Sequence, residues 1–350
     1  MLTTTEAASG RPRLLCALLT VGGVAASILL LDAVAGSRLQ AGVGPSMAAF
    51  QFEGRGTGAD LFAARAGGFM RPQAGAEGGG LSLGIAEIVE PASAAELKGA
   101  LARNDFQLSE IREGAAEVPR LYVAAFPPDL PEIVEIDSRK QMFLGSVLPL
   151  VLLANEELRH RRNRLLDIAD RLATDTEIPL TDAAWLDALA EHYGVAHGDL
   201  DGLALRVAEI PPSLALAQAI VESGWGTSRF VLEGNALFGQ RTWSSEAAAI
   251  VPERNRDVRV KAFTDLMDSV RAYMHNLNTH VAYADLRSER ARLTAAGKRP
   301  GGRHLVEGLE DYAEIDGYVG KLQALMRHNR LADLDEAELE SRALTAQAVR

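Results

Sequence analysis

Ser213-Leu-Ala-Leu-Ala-Gln-Ala-Ile-Val-Glu-Ser-Gly-Trp-Gly-Thr-Ser-Arg-Phe230 is the stretch on which the reading of this chain turns. Leu214, Ala217, Gln218 and Val221 fall at i, i+3, i+4 and i+7. That spacing predicts a helix over 213–223 with one mostly apolar, buried face. Glu222 is the only acidic residue of this helix and stands at its C-terminal end. Ser223 and Gly224 follow at once, and glycine supplies the backbone freedom of a helix stop. A carboxyl placed there has apolar neighbours on the helix side and an open cleft on the other. Such surroundings raise a carboxyl pKa and suit a general acid. For one Glu taken alone, a solvated helix-end glutamate is the ordinary alternative.

The flanking residues favour the chemical reading. Trp225-Gly-Thr-Ser-Arg229 comes next, then Gly234-Asn-Ala-Leu-Phe-Gly239. Upstream stand Val118-Pro-Arg-Leu-Tyr-Val-Ala-Ala-Phe-Pro-Pro-Asp129 and Leu148-Pro-Leu-Val-Leu-Leu-Ala-Asn-Glu-Glu157. Downstream stand Ser269-Val-Arg-Ala-Tyr-Met-His-Asn-Leu-Asn-Thr-His280 and the spaced pair Tyr312 and Tyr318. This ordered set resembles the glucosaminidases of glycoside hydrolase family 73, which cut peptidoglycan, and within them the bacterial Bax-like proteins. The resemblance covers roughly residues 90 to 330.

The resemblance implies a mainly α protein: a lysozyme-like helical glucosaminidase domain over 176–332 with a small β-hairpin lobe, preceded by a helical N-terminal module over 89–175. It implies an endo-β-N-acetylglucosaminidase acting on peptidoglycan glycan strands, with Glu222 as general acid. Glycoside hydrolysis then needs a base for water, a nucleophile, or a neighbouring group on the sugar. The resemblance puts a second carboxylate on the hairpin lobe, where Glu246, Glu253 and Asp257 stand, and Glu253 and Asp257 are preferred. The substrate's own acetamido group is the alternative. Tyr312 and Tyr318 match the family's Tyr-Ala-x-x-x-x-Tyr element, and a phenol can hydrogen-bond an acetamido group and cover a sugar face. A half-buried core tyrosine is the plainer reading of either. Ser223, Trp225, Asn235 and Phe238 complete the candidate substrate-binding set. Trp225 either packs under the catalytic loop or lines a sugar subsite. Asn235 and Phe238 read more as loop-fixing residues than as substrate contacts. A lytic transglycosylase would also use one helix-end glutamate, but would carry a Gly-Leu-Met-Gln-type element where Asn235-Ala-Leu-Phe-Gly239 stands. A wall-binding scaffold that lost turnover is the third alternative.

Composition sets outer bounds. The chain has 350 residues, 47% of them hydrophobic and 24% charged, enough for a sizeable core. A net charge of −11 leaves no broad basic surface for phosphates, which argues against nucleic acid. Arg11 and Arg13 precede an uncharged run from Leu14 to Leu31, and Ala33-Val34-Ala35 fits a small-x-small cleavage site. Residues 1–35 therefore read as a signal peptide or a membrane anchor, since the run spans about 27 Å as a helix. This predicts export to the periplasm or cell envelope. Cys16, the only cysteine, lies inside that run, so disulfides, a cysteine nucleophile and thiolate metal sites are excluded from the rest. Residues 36–88 are rich in Gly and Ala and read as a flexible tether. His192 and His197, like His275 and His280, are five apart and do not share a helical face, so no metal and no cofactor is expected. A monomer is expected.

Between these landmarks the pattern is helical. Ser93 and Glu96 fit a helix start. Residues 119–126 resemble a strand ended by Pro127 and Pro128. Asp137 to Leu172 reads as one long helix with Phe143 to Ala154 buried on nearly all sides. Arg159 to Arg164 read as a solvated face with Arg–Glu pairs rather than a site for wall carboxylates. Helices are expected over 181–193, capped by Thr181 or Asp182, and over 199–208, 265–280, 283–296 and 317–328. Residues 249–251 and 257–263 form the one hairpin candidate, with 252–256 as its turn. Residues 333–350 read as a charged tail that frays.

Overall fold

The computed structural model describes residues 84–252, 258–312 and 317–341, the side chains of 310–312 excepted. The expected signal or anchor and most of the expected tether lie outside these residues. So do Glu253 and Asp257. Among the described residues no helix is long and apolar enough to cross a membrane.

The long apolar helix forms where the sequence places it. Helix α3 runs Ile136–Ala173 with Pro149 inside it, and Met142 to Asn155 is buried without a break. A helix apolar on all sides must be covered on all sides. Before it come α1 (Ala94–Arg103) and α2 (Leu108–Arg112), and strands β1 (Glu87–Val89) and β2 (Leu121–Val123) pair in parallel. Ser93 caps α1 as expected: its hydroxyl accepts from the Glu96 amide at 3.2 Å, while Glu96 reaches back to the Ala92 amide at 2.7 Å. β1 straddles the end of the expected tether at residue 88. Residues 84–88 are tied into the fold by that pairing and by the Ala86 amide on the Arg120 carbonyl.

Helices α4 (Leu180–Tyr193), α5 (Leu200–Arg206) and α6 (Pro212–Ser223) follow. Neither Thr181 nor Asp182 caps α4, whose first turn has no side-chain cap; Asp182 instead binds Arg164 at 2.7 Å and Arg171 at 2.9 Å. Asp182 lies inside the first turn of α4, past its Pro179 cap position, and its oxygens face these two guanidiniums in charge-assisted bonds. The other arginines of the Arg159–Arg164 run are likewise engaged, Arg161 with Glu157 at 3.7 Å. Arg159 meets Glu209 at 2.9 Å, and Arg162 donates to the Ala204 and Val207 carbonyls at the end of α5.

After α6 come α7 (Arg229–Gly234) and a small antiparallel lobe of β3 (Ala249–Ile250) and β4 (Val260–Lys261). Arg241 bridges Val260 on the other side of β4, so residues 240–242 add a third, short edge that the hairpin reading had not included. Helices α8 (Leu266–Thr279), α9 (Ala284–Ala295), α10 (Gly302–Leu305) and α11 (Tyr318–His328) complete the mainly α architecture.

One hydrophobic core runs from Val89 through α3 and α6 to Ala337, with no break near residue 175. α6 is buried on every side from Pro212 to Ile220, not on one face. It packs against α3, α10, α11 and the 3₁₀ turn Leu331–Leu334. The segment after Asp333 is also held. Asp335 accepts from the Ser213 amide and hydroxyl, both at 2.8 Å, and from the Gly302 amide at 3.1 Å. Val118 bridges Leu339. The expected charged tail therefore contributes residues 333–340 to the fold, because Asp335 supplies the acceptor that the first turn of α6 needs.

Candidate active site

The C-terminal end of α6 is built by an unusual backbone. Gly224, Trp225 and Gly226 all have positive φ, at 60°, 61° and 78°. Two of the three are glycine, for which the left-handed region carries no Cβ penalty. Trp225 is a bulky residue in that region, and such strain persists only where the surroundings over-determine it. They do so here. The Ser223 hydroxyl donates to the Ala219 carbonyl at 2.6 Å and accepts from the Gly226 amide at 3.0 Å. The Thr227 and Ser228 amides return to the Ser223 carbonyl at 3.1 and 2.9 Å. The Trp225 ring meets Phe143 edge-on at 5.5 Å and lies 5.2 Å from the Lys140 ammonium. A Cβ on Gly226 would stand 3.0 Å from Phe126 and 3.1 Å from Leu130, so α6 turns against the β2–α3 region at van der Waals distance. Glu222 sits half-buried on the last turn before this lock.

The Asn235–Gly239 loop is anchored from both sides. Asn235 ends α7 at φ 53°, and its amide nitrogen donates to the Phe263 and Thr264 carbonyls at 3.3 and 3.2 Å. The Leu237 amide donates to the Ser269 hydroxyl at 3.1 Å. Phe238 is buried and stacks on Tyr273 of α8, with centroids 3.8 Å apart and planes 4° from parallel. The Tyr273 hydroxyl donates to Gln218 Oε1 at 2.6 Å, and Gln218 Nε2 points to the Tyr318 hydroxyl at 3.5 Å. Tyr273, Gln218 and Tyr318 are 4%, 4% and 5% exposed, so their polar atoms need hydrogen-bond partners inside the protein, and these bonds supply some of them. Burial holds the Tyr273 phenol well above its ordinary pKa, hence protonated.

The structure thus brings Glu222, Ser223 and Trp225 into one turn, and Phe238 and Tyr318 onto the core beneath it. Ser223, Asn235 and Phe238 have their polar or aromatic groups engaged inside the protein. Tyr318 lies in the core at the start of α11. Tyr312 ends the 3₁₀ segment Val306–Tyr312, and its side chain is outside the described residues. Glu246 is exposed on the lobe, its amide donating to the Ser244 hydroxyl at 3.3 Å. Sequence reasoning missed Tyr273 and used Gln218 only as part of an apolar face. Gln218 carried a signal, being the one amide side chain on an otherwise apolar helix.

Two features lie elsewhere. A cavity of about 990 Å³ opens at the other, N-terminal end of α6, lined by Asn155, Arg159, Arg162, Arg290 and Asp335 among others. Its arginines are engaged: Arg290 donates to the Leu205, Ala208 and Glu209 carbonyls, closing the end of α5. His192 of α4 and His275 of α8 come together with ring centroids 4.5 Å apart, a pairing the five-residue spacings could not reveal. Burial first, then His192 and the cations Arg161, Lys261 and Arg206, push His275 down to about 3. Burial and Arg161 also lower His192.

A histidine depressed in the folded state costs nothing above its unfolded pKa. Below about pH 6.5 the unfolded chain gains a proton that the fold refuses, so stability falls as pH falls. Denaturant unfolding between pH 7 and 5 should show a loss on the order of 1 kcal/mol per pH unit. His275→Gln should flatten that slope, and an equal slope in the variant would refute the assignment.

The chain is similar to several known proteins. The family described as Glucosaminidase, mannosyl-glycoprotein endo-beta-N-acetylglucosaminidase, matches residues 203–331, from α5 through α11. "Protein bax" of Escherichia coli strain K12 is 30% identical over 213 residues, covering 58% of this chain and 74% of that protein. Among solved structures, the catalytic domain of the autolysin Auto from Listeria monocytogenes is 16% identical, with a TM-score of 0.29 over 48% of this chain and 96% of that one.

Proposed function

The chain belongs to the glucosaminidase family, in its Bax-like branch, and on that premise we propose that it hydrolyses the glycan strands of peptidoglycan as an endo-β-N-acetylglucosaminidase. Glu222 is its general acid. One observation carries this reading: a half-buried glutamate on the last turn of a helix that is buried on every side from Pro212 to Ile220, followed by three successive left-handed residues. A helix C-terminus disfavours negative charge. That placement suits a group which must hold a proton and deliver it to a leaving oxygen.

Trp225, half-buried and held by Phe143 and Lys140, helps fix the turn that follows Glu222. The second reacting group is a carboxylate of the lobe, Glu253 or Asp257, or else the acetamido group of the substrate. The protein acts in the cell envelope after export directed by residues 1–35, as a monomer without cofactor or metal.

Digestion of purified sacculi, with mass spectrometry of the new ends, tests the assignment. Reducing N-acetylglucosamine ends are expected. Anhydro ends would make the protein a lytic transglycosylase. Intact sacculi that retain bound protein would make it a wall-binding scaffold.

A further inference from the structure

We propose that Tyr273 and Gln218 are positioning residues that set Tyr318 as a hydrogen-bond donor one helical turn beneath Glu222. The inference rests on reading Glu222 as the general acid. Its basis is the direction of a buried hydrogen-bond chain.

Tyr273 and Gln218 meet at 2.6 Å. That separation is ordinary for O–H···O and short for N–H···O, so the amide oxygen faces Tyr273. A buried, protonated phenol donates to it. With its oxygen turned to Tyr273, the amide presents its N–H side to Tyr318, and the phenol oxygen of Tyr318 is the acceptor at 3.5 Å. The Tyr318 hydroxyl proton is therefore directed away from Gln218, toward another acceptor. Without the Tyr273 hydroxyl the amide could turn over and present its oxygen to Tyr318 instead.

Gln218 and Glu222 are four residues apart on α6, so the chain is tied about 6 Å below the carboxylate along the same face. The same Tyr273 ring stacks on Phe238, and Ser269, one turn earlier on α8, holds the Leu237 amide. One residue thus couples the Glu222 turn, the Asn235–Gly239 loop and the start of α11. Misplacement of about 1 Å at such a site costs up to ~100-fold in rate.

Tyr273→Phe removes the hydroxyl and keeps the stack. On sacculi, kcat should fall about 10- to 100-fold with KM within about 2-fold, because the interaction acts in the transition state. Gln218→Met combined with Tyr273→Phe replaces both polar partners by apolar groups of similar size. It should recover thermal stability relative to the single variant without recovering kcat. Recovery of both together would overturn the proposal, as would an unchanged kcat in Tyr273→Phe. Hydrogen exchange reads the positioning without any activity. Peptides covering 219–239 should exchange at least about 10-fold faster in Tyr273→Phe, those of α4 at their wild-type rate. Unchanged exchange over 219–239 would overturn the proposal even in an active enzyme. Faster exchange in a protein that never cuts sacculi would sink the hydrolase reading and keep the coupling.

Discussion

Glu222→Gln should release no muropeptides from sacculi while unfolding at the wild-type denaturant midpoint. The substitution keeps the shape of the side chain and its half-buried place on the last turn of α6, and removes the transferable proton. General acid catalysis contributes about 10²–10⁴-fold, so residual release should fall at least to the lower end of that range. Other groups make the bonds that lock the backbone. Ser223, Gly224 and Gly226 close the turn through main-chain bonds and the Ser223 hydroxyl, which leaves the fold intact in the variant. Release near the wild-type rate would remove Glu222 from the mechanism.

The second large effect is expected on the lobe. Glu253→Gln and Asp257→Asn, made separately, should behave differently. If one carboxylate acts as base for water, its loss should lower turnover at least ~100-fold with little change in binding. The other variant should stay within a few-fold of wild type. The lobe itself is firmly attached. The Phe263 amide donates to the Gly234 carbonyl at 2.9 Å, and the Arg259 guanidinium gathers the Ser244 and Ala247 carbonyls, each at 3.0 Å. Neutralising one carboxyl should therefore leave the lobe in place. Should both variants stay active while Glu222→Gln is dead, the two-carboxylate scheme fails. The reaction then runs through the substrate acetamido group, and Tyr312→Phe and Tyr318→Phe become the decisive substitutions.

Local chemistry made much of the fold legible. The Ser93–Glu96 start, the long helix from 136 to 173 and the helix ending at Ser223 each follow from patterns that span a few turns. Competition between partners did not show. Asp182 reads as a cap until Arg164 and Arg171, from a different helix, claim it. Asp335 reads as part of a frayed charged tail, yet it caps α6 from more than a hundred residues away.

The sequence by itself determined where the carboxylate stands and how its helix ends. An apolar run, one glutamate and two glycines fix both within a single turn, and short-range geometry needs no distant partner. Only the tertiary structure decided what supports that turn. Tyr273 sits 51 positions from Glu222 and carries no motif of its own that could be read alone. Its role appears when Tyr273 of α8 meets Gln218 of α6 and a hydroxyl, an amide and two rings close on one another. The same holds for His192 with His275. Periodicity reports which face of a helix is buried, but the partner across the interface is chosen by packing between elements far apart in the chain.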